Sequence, residues 1–114
     1  MSEARLATSV LATALMRRAE AVGGFAAVLA KGDATAGALL VILVERDGAT
    51  RLMEQTLQRE GRYVWQDVGL EDAANSESLD RFLLKRRRFD PDIWLIELTI
   101  ASAERFAAEM NESV

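Results

Sequence analysis

The sequence predicts an α+β domain. Its core is a mainly antiparallel sheet of four to five strands, a meander plus one late strand, packed with two main helices and a short C-terminal helix. Three observations carry that prediction. An apolar stripe at helical spacing ends at Gly23-Gly24, an Asp47-Gly48 pair separates two strand-like runs, and a basic helix end turns into an apolar strand at Asp90-Pro91. Strands joined by hairpins, with the helices kept apart from them, indicate α+β.

In chain order, Ser2 is placed to cap the first helix, with Glu3 in its favourable first turn. Leu11, Leu15, Ala19 and Val22 then share one stripe, flanked by Val10 and Ala14, and Arg17, Arg18 and Glu20 face water. Residues 25–31 form a short apolar run bounded by glycines and read as a strand. Residues 31–34 read as a polar turn with Gly32 at positive φ. Residues 37–44 are apolar at every position, so both faces of that strand should be covered. Helices on both sides of the sheet, or a second subunit on one face, would satisfy this.

Residues 46–49 carry the hairpin, and residues 50–58 mix Leu52, Met53 and Leu57 with Arg51, Glu54 and Gln55, as a half-exposed partner would. A second turn at 59–62 leads to a short strand, 63–68, carrying Trp65. Residues 69–78 are a polar, mildly acidic loop. A second helix is predicted from about 76 to 89, with Leu79, Phe82, Leu83 and Phe89 on its core stripe. Glu77 and Asp80 come early in it and Lys85, Arg86, Arg87 and Arg88 late, which suits the helix dipole. Asp90 precedes proline, which disfavours helical backbone, and Pro91 launches extended chain. Residues 93–98 are rich in β-branched and aromatic residues and read as the late strand. Residues 101–110 form a weak stripe of Ala103, Phe106, Ala107 and Met110, expected to be a short, frayed helix.

The 114 residues suit one domain, 1–114, with the tail after about residue 111 expected to be disordered. There is no cysteine and no histidine. Disulfides, Cys or His zinc sites and histidine-based acid–base catalysis are thereby excluded. The net charge of −4 opposes nucleic-acid binding by the whole surface but leaves room for a local basic patch. No targeting segment is evident, and the apolar run at 34–44 is well under the ~20 residues a membrane helix needs. A cytoplasmic protein is expected, with no membrane partner.

One set of residues has a familiar spacing. Lys31-Gly32-Asp33 with Ala36-Gly37, then Trp65, then Phe89-Asp90-Pro91-Asp92-Ile93-Trp94 with Glu97, resembles a bacterial family catalogued as domain of unknown function 1491. Arg17-Arg18-Ala19-Glu20 fits the same pattern. The resemblance covers residues 5–99, and the tail after Ile100 lies outside it. It implies one cytoplasmic domain and brings no activity, cofactor or catalytic residue.

The most polar constellation is the junction at 85–98. Asp90, Asp92 and Glu97 are candidate ligands for Mg2+ or Mn2+, since hard cations take carboxylate oxygens. Asp92 and Glu97 are five apart and point to opposite faces of a regular strand, which weakens a shared site. We favour a structural role, with Asp90 accepting backbone hydrogen bonds before the proline and Asp92 paired with an arginine. The cluster 85–88 reads first as a solvated helix end that neutralises Asp90 and Asp92. A nucleic-acid role is disfavoured because Phe82 and Phe89 belong to the expected core stripe. Lys31-Gly32-Asp33 has the wrong order for a phosphate loop, which ends in Gly-Lys-Ser/Thr before a helix. Trp65 and Trp94 are expected in the core.

The sequence therefore leads to a non-enzymatic interaction module, a homodimer formed through its sheet, with no cofactor. Lys31, Asp33, Arg86, Arg88, Asp90, Asp92 and Trp94 are its candidate binding residues, and a homo-oligomer or another protein its partner. The alternative is a metal-dependent, nuclease-like hydrolase. There Asp90 and Asp92 hold the ion, Asp33 or Glu97 assists, and Arg86 or Arg88 neutralises phosphate.

Overall fold

A threonine opens the first helix. The computed structural model describes residues 6–112, and α1 spans Thr8–Ala21; the predicted cap at Ser2 and Glu3 lies outside the described residues. Ala7 stands at the N-cap with no side-chain bond. The orphan N–H groups of α1 are satisfied by a loop instead: Thr8 N donates to Thr35 O at 3.2 Å and Ser9 N to Ala34 O at 2.9 Å. The Thr8 hydroxyl, fully buried, donates to Gly37 O at 2.6 Å. Thr8→Val keeps the shape and strands that carbonyl, so a loss of about 1–3 kcal/mol in urea unfolding is expected.

The buried stripe of α1 is Thr8, Ala12, Leu15 and Ala19. Leu11 is half-buried, while Ala14, Val10 and Val22 are exposed. Val22 drops out because the helix stops at Ala21. Gly23, at φ 86°, donates to Glu20 O and Gly24 to Ala19 O, the pair of bonds that closes a helix on a left-handed glycine. Arg18 does not simply face water, since its guanidinium lies 5.2 Å from the Phe106 ring centre.

Five strands follow: β1 (Phe25–Ala30), β2 (Leu39–Val44), β3 (Thr50–Leu57), β4 (Tyr63–Asp67) and, after α2 (Ser76–Phe89), β5 (Trp94–Thr99); α3 (Ala103–Glu112) comes last. Both predicted hairpins form, with Gly48 and Gly61 at positive φ. Gly32 does not have positive φ, and its role is a close approach described below. The strand order is β1-β5-β2-β3-β4. The meander therefore holds only for β2–β4. β5 inserts between β1 and β2, parallel to β2 and antiparallel to β1. It is buried on both faces apart from Glu97 and Thr99, and a strand of that composition belongs in the middle of a sheet.

The helices lie on both sides. α1 and α3 cover the face made by Leu39, Val41, Leu43, Met53, Trp65, Trp94, Ile96 and Leu98. α2 covers the face made by Leu40, Ile42, Leu52, Ile93 and Leu95. The two-faced β2 is thus closed within the chain, and its apolar run needs no second subunit. This removes the reason for a dimer through the sheet face.

Asn75 caps α2 by accepting from Ser78 N. Leu83 is buried and Leu79 and Phe82 half-buried, but Phe89 is 77% exposed. Its placement on the core stripe is corrected by geometry. Seven residues beyond half-buried Phe82, Phe89 lies on nearly the same side of α2, but as the last residue of the helix it stays in water, while Arg86 takes an inward place. α3 buries the predicted Ala103, Phe106, Ala107 and Met110. Glu45 and Ser102 hold its start, accepting from Ala103 N at 2.8 Å and Arg105 N at 3.2 Å. Its last turn holds the edge strand β4: Asn111 accepts from Trp65 N at 2.8 Å and donates to Trp65 O at 2.9 Å. No helix among the described residues is long and apolar enough to cross a membrane.

Candidate functional site

The motif residues meet where the amino ends of β2 and β5 lie side by side. The loop at 31–38 leaves β1 and presses on the turn at 90–93. Asp33 N donates to Asp92 O at 2.9 Å, Trp94 N to Ala38 O at 2.8 Å, and the Trp94 indole Nε1–H to Asp33 O at 2.8 Å. A side chain at Gly32 or Gly37 would overlap the Asp92 carbonyl. These glycines admit backbone against backbone. With Thr8 bonded to the same loop, three chain segments are fastened at one point.

That fastening uses the acidic groups locally. The Asp33 carboxylate accepts from Thr35 N at 3.2 Å and Ala36 N at 2.8 Å, and Asp90 Oδ1 from Asp92 N at 3.2 Å. The Asp92 side chain is exposed, as is Lys31. Trp94 is 5% exposed and belongs to the core. Glu97 lies further along β5, paired with Ala27 of β1 and Ile42 of β2. Among the described residues no three acidic side chains come together as a metal site requires.

The basic cluster also differs from expectation. Among the described residues Asp92 forms no ion pair with an arginine. Arg86 crosses to β3 and forms a fork with Glu54, Nη1 to Oε1 at 3.1 Å and Nη2 to Oε2 at 2.5 Å. The hydrogen bond to Glu54 raises the Arg86 pKa, and the charges of Glu54 and Asp90 add to this against the opposing effect of burial. Lys85, Arg87 and Arg88 remain exposed. Glu54 carried no signal in the sequence, because only the β2–β3 register brings it under α2.

Two further features depend on topology. The parallel pairing of β2 and β5 sets their carboxyl ends side by side, and a cleft of about 470 Å³ opens there. Open sheets bind ligands beyond the carboxyl ends of parallel strands. Its walls include Gly23, Phe25, Arg46, Thr99 and Ile100. Glu45 also lines it, with its carboxylate engaged at the start of α3.

The second feature is β1, an outer strand of the sheet. Its six residues, Phe-Ala-Ala-Val-Leu-Ala, carry no charge. Phe25 is 67% exposed, Val28 44% and Leu29 47%, and the register with β5 shifts between Val28 and Ala30. Among the described residues no hydrogen bond reaches the outer side of β1, whereas Asn111 occupies that of β4.

A family model described as "Protein of unknown function (DUF1491)" matches residues 6–108, which takes in most of α3 beyond the residues that carry the resemblance. A crystal structure of a DUF1491 family protein from Caulobacter crescentus CB15 is 37% identical with TM-score 0.80, over 90% of this chain and 94% of that one. An NMR structure of a DUF1491 family protein from the same organism is 36% identical with TM-score 0.77, over 91% and 94%. The solution structure of a protein from A. tumefaciens is 33% identical with TM-score 0.70, over 90% and 92%. No curated protein matches the chain. With its sequence matched from α1 into α3 and its fold shared along nine-tenths of its length, the chain belongs to the DUF1491 family, whose function is unknown.

Proposed function

We propose that this chain is a cytoplasmic, non-enzymatic interaction module that pairs with a second copy of itself along the outer edge of β1. The observation that carries the reading is the edge itself. β1 offers one row of backbone N–H and C=O groups beside Phe25, Val28 and Leu29, with no charge within the strand. Sheet edges that must stay single usually carry lysine or proline, are covered, or are twisted away by bulges, and of these β1 has only the register shift between Val28 and Ala30. On β4 the middle of the edge, at Trp65, is already held by Asn111. An antiparallel pairing of β1 with its copy across a two-fold axis uses the same surface on both partners and continues the sheet from five strands through both chains. This places the contact at the rim of the sheet, since its two faces already carry α1, α3 and α2.

Sedimentation velocity on the wild type and on Leu29→Lys tests the reading. The wild type is expected to sediment as a dimer in the micromolar range. Leu29→Lys should raise the dissociation constant at least about tenfold, with the monomer still folded because Leu29 is half exposed. A wild type that stays monomeric at high micromolar concentration, or a dimer indifferent to Leu29→Lys, would sink it.

A further inference from the structure

We propose that the outward face of α2 binds single-stranded nucleic acid, with phosphates on Arg81, Lys85 and Arg88 and a base stacked on Phe89. Arg81, Leu84, Lys85, Arg88 and Phe89 follow the spacing i, i+3, i+4, i+7, i+8, which is one face of a helix. All five are exposed, Leu84 by 63% and Phe89 by 77%. Arg81, Leu84, Lys85 and Arg88 lie opposite the side that carries Leu79 and Leu83 towards the sheet, and Phe89 borders it. A solvated helix face needs no such large apolar side chains.

Charge selects the partner. Residues 81–89 carry five cations and no carboxylate, in a chain whose net charge is −4. Arg86 is committed to Glu54, but among the described residues Arg81, Lys85 and Arg88 enter no ion pair. Their positive field is therefore available to a polyanion. Arg81 and Arg88 lie about 10 Å apart along the helix axis, a distance over which an extended strand presents more than one phosphate.

The apolar residues narrow the choice further. A lipid surface calls for one continuous apolar wedge, whereas Leu84 and Phe89 sit about 140° apart around the helix with the cations between them. A purely acidic peptide has no use for an exposed ring at the end of a cationic row. An unpaired base does, because aromatic side chains serve single strands as stacking platforms. Phe89 counted against nucleic acid while it was expected in the core, and its exposure reverses that argument.

The test is a fluorescence-anisotropy titration of a labelled oligothymidylate with the full chain at several salt concentrations. Three phosphate contacts predict a slope of log affinity against log salt near −2, at about −0.7 per phosphate. The triple variant Arg81→Ala/Lys85→Ala/Arg88→Ala should abolish binding while keeping the wild-type circular dichroism. Phe89→Ala should weaken binding about tenfold at an unchanged slope. Four outcomes would overturn the proposal. These are no binding at low salt, binding unaffected by the triple variant, affinity indifferent to Phe89→Ala, and equal or tighter binding of polyglutamate or phosphatidylserine vesicles.

Discussion

Trp94→Ala is expected to cost about 3–5 kcal/mol of unfolding free energy, the range for emptying a buried large aromatic site. The ring lies in the core between α1, α3 and the sheet, and its Nε1–H is bonded to the Asp33 carbonyl. Both contributions vanish together in alanine. Trp94→Phe separates them, keeping most of the apolar contact while leaving that carbonyl unpaired, for a loss of about 1–3 kcal/mol. Gly32→Ala should be comparably harmful for a different reason, because its new methyl meets the Asp92 backbone and overpacking costs about 1–3 kcal/mol. Asp92→Asn is the contrast. The turn uses the backbone of Asp92 and leaves its side chain in water, so the change should stay within about 0.5 kcal/mol. Urea unfolding of the four variants reads all of this. A strongly destabilised Asp92→Asn would mean that the carboxylate itself carries structure or binds something in the native state.

Breaking the Arg86–Glu54 fork is the second large effect. Each side chain is only about a quarter exposed, 28% and 25%. Glu54→Ala therefore leaves a guanidinium partly desolvated without its partner, at a cost of about 1.5–3 kcal/mol. A double-mutant cycle with Arg86→Ala should give a coupling of about 1–3 kcal/mol. Replacing both with apolar residues, Glu54→Leu/Arg86→Met, should recover most of the loss, because well-packed apolar pairs substitute for buried ion pairs. Additive single effects would show that Leu79, Phe82 and Leu83 hold α2 unaided. The pH dependence follows from the sign of the shift. The Arg86 pKa is raised in the folded chain, so its contribution is complete below the unfolded value and lost only as pH rises through the folded one. The unfolded value is the ordinary arginine one and the folded value lies above it, both far into the alkaline range, so this pair should show no alkaline loss up to about pH 10.

Signals confined to a few neighbouring residues were read correctly from sequence. Gly23-Gly24 closes α1, Asp47-Gly48 turns the first hairpin, and Asp90-Pro91 ends α2 at Phe89. In each case backbone sterics of adjacent residues decide the outcome. The all-apolar β2 correctly required cover on both faces. Which cover it has was open, and α1, α3 and α2 supply it.

The candidate site was legible only in part. The motif residues 31–37 and 90–94 do come together, yet through backbone hydrogen bonds and two close glycines rather than through their charges. The partner of Arg86 was not legible because Glu54 is 32 residues away in sequence and is brought near only by the sheet register. Phe89 was misplaced because a stripe read at residue spacing does not say where the surface it covers ends, and Phe89 is the last residue of α2.

By itself, then, the sequence determined the order of the elements, the ends that glycine and proline turns set, the α+β class and the position of the interlocking motif. Those follow from local dihedral preferences and apolar periodicity, which act over a handful of residues. Only the tertiary structure decided that β5 enters between β1 and β2, which edge stays bare, and which side chains of α2 face water. Those outcomes depend on burying two apolar faces of one sheet at once, and that burial is a property of the whole chain.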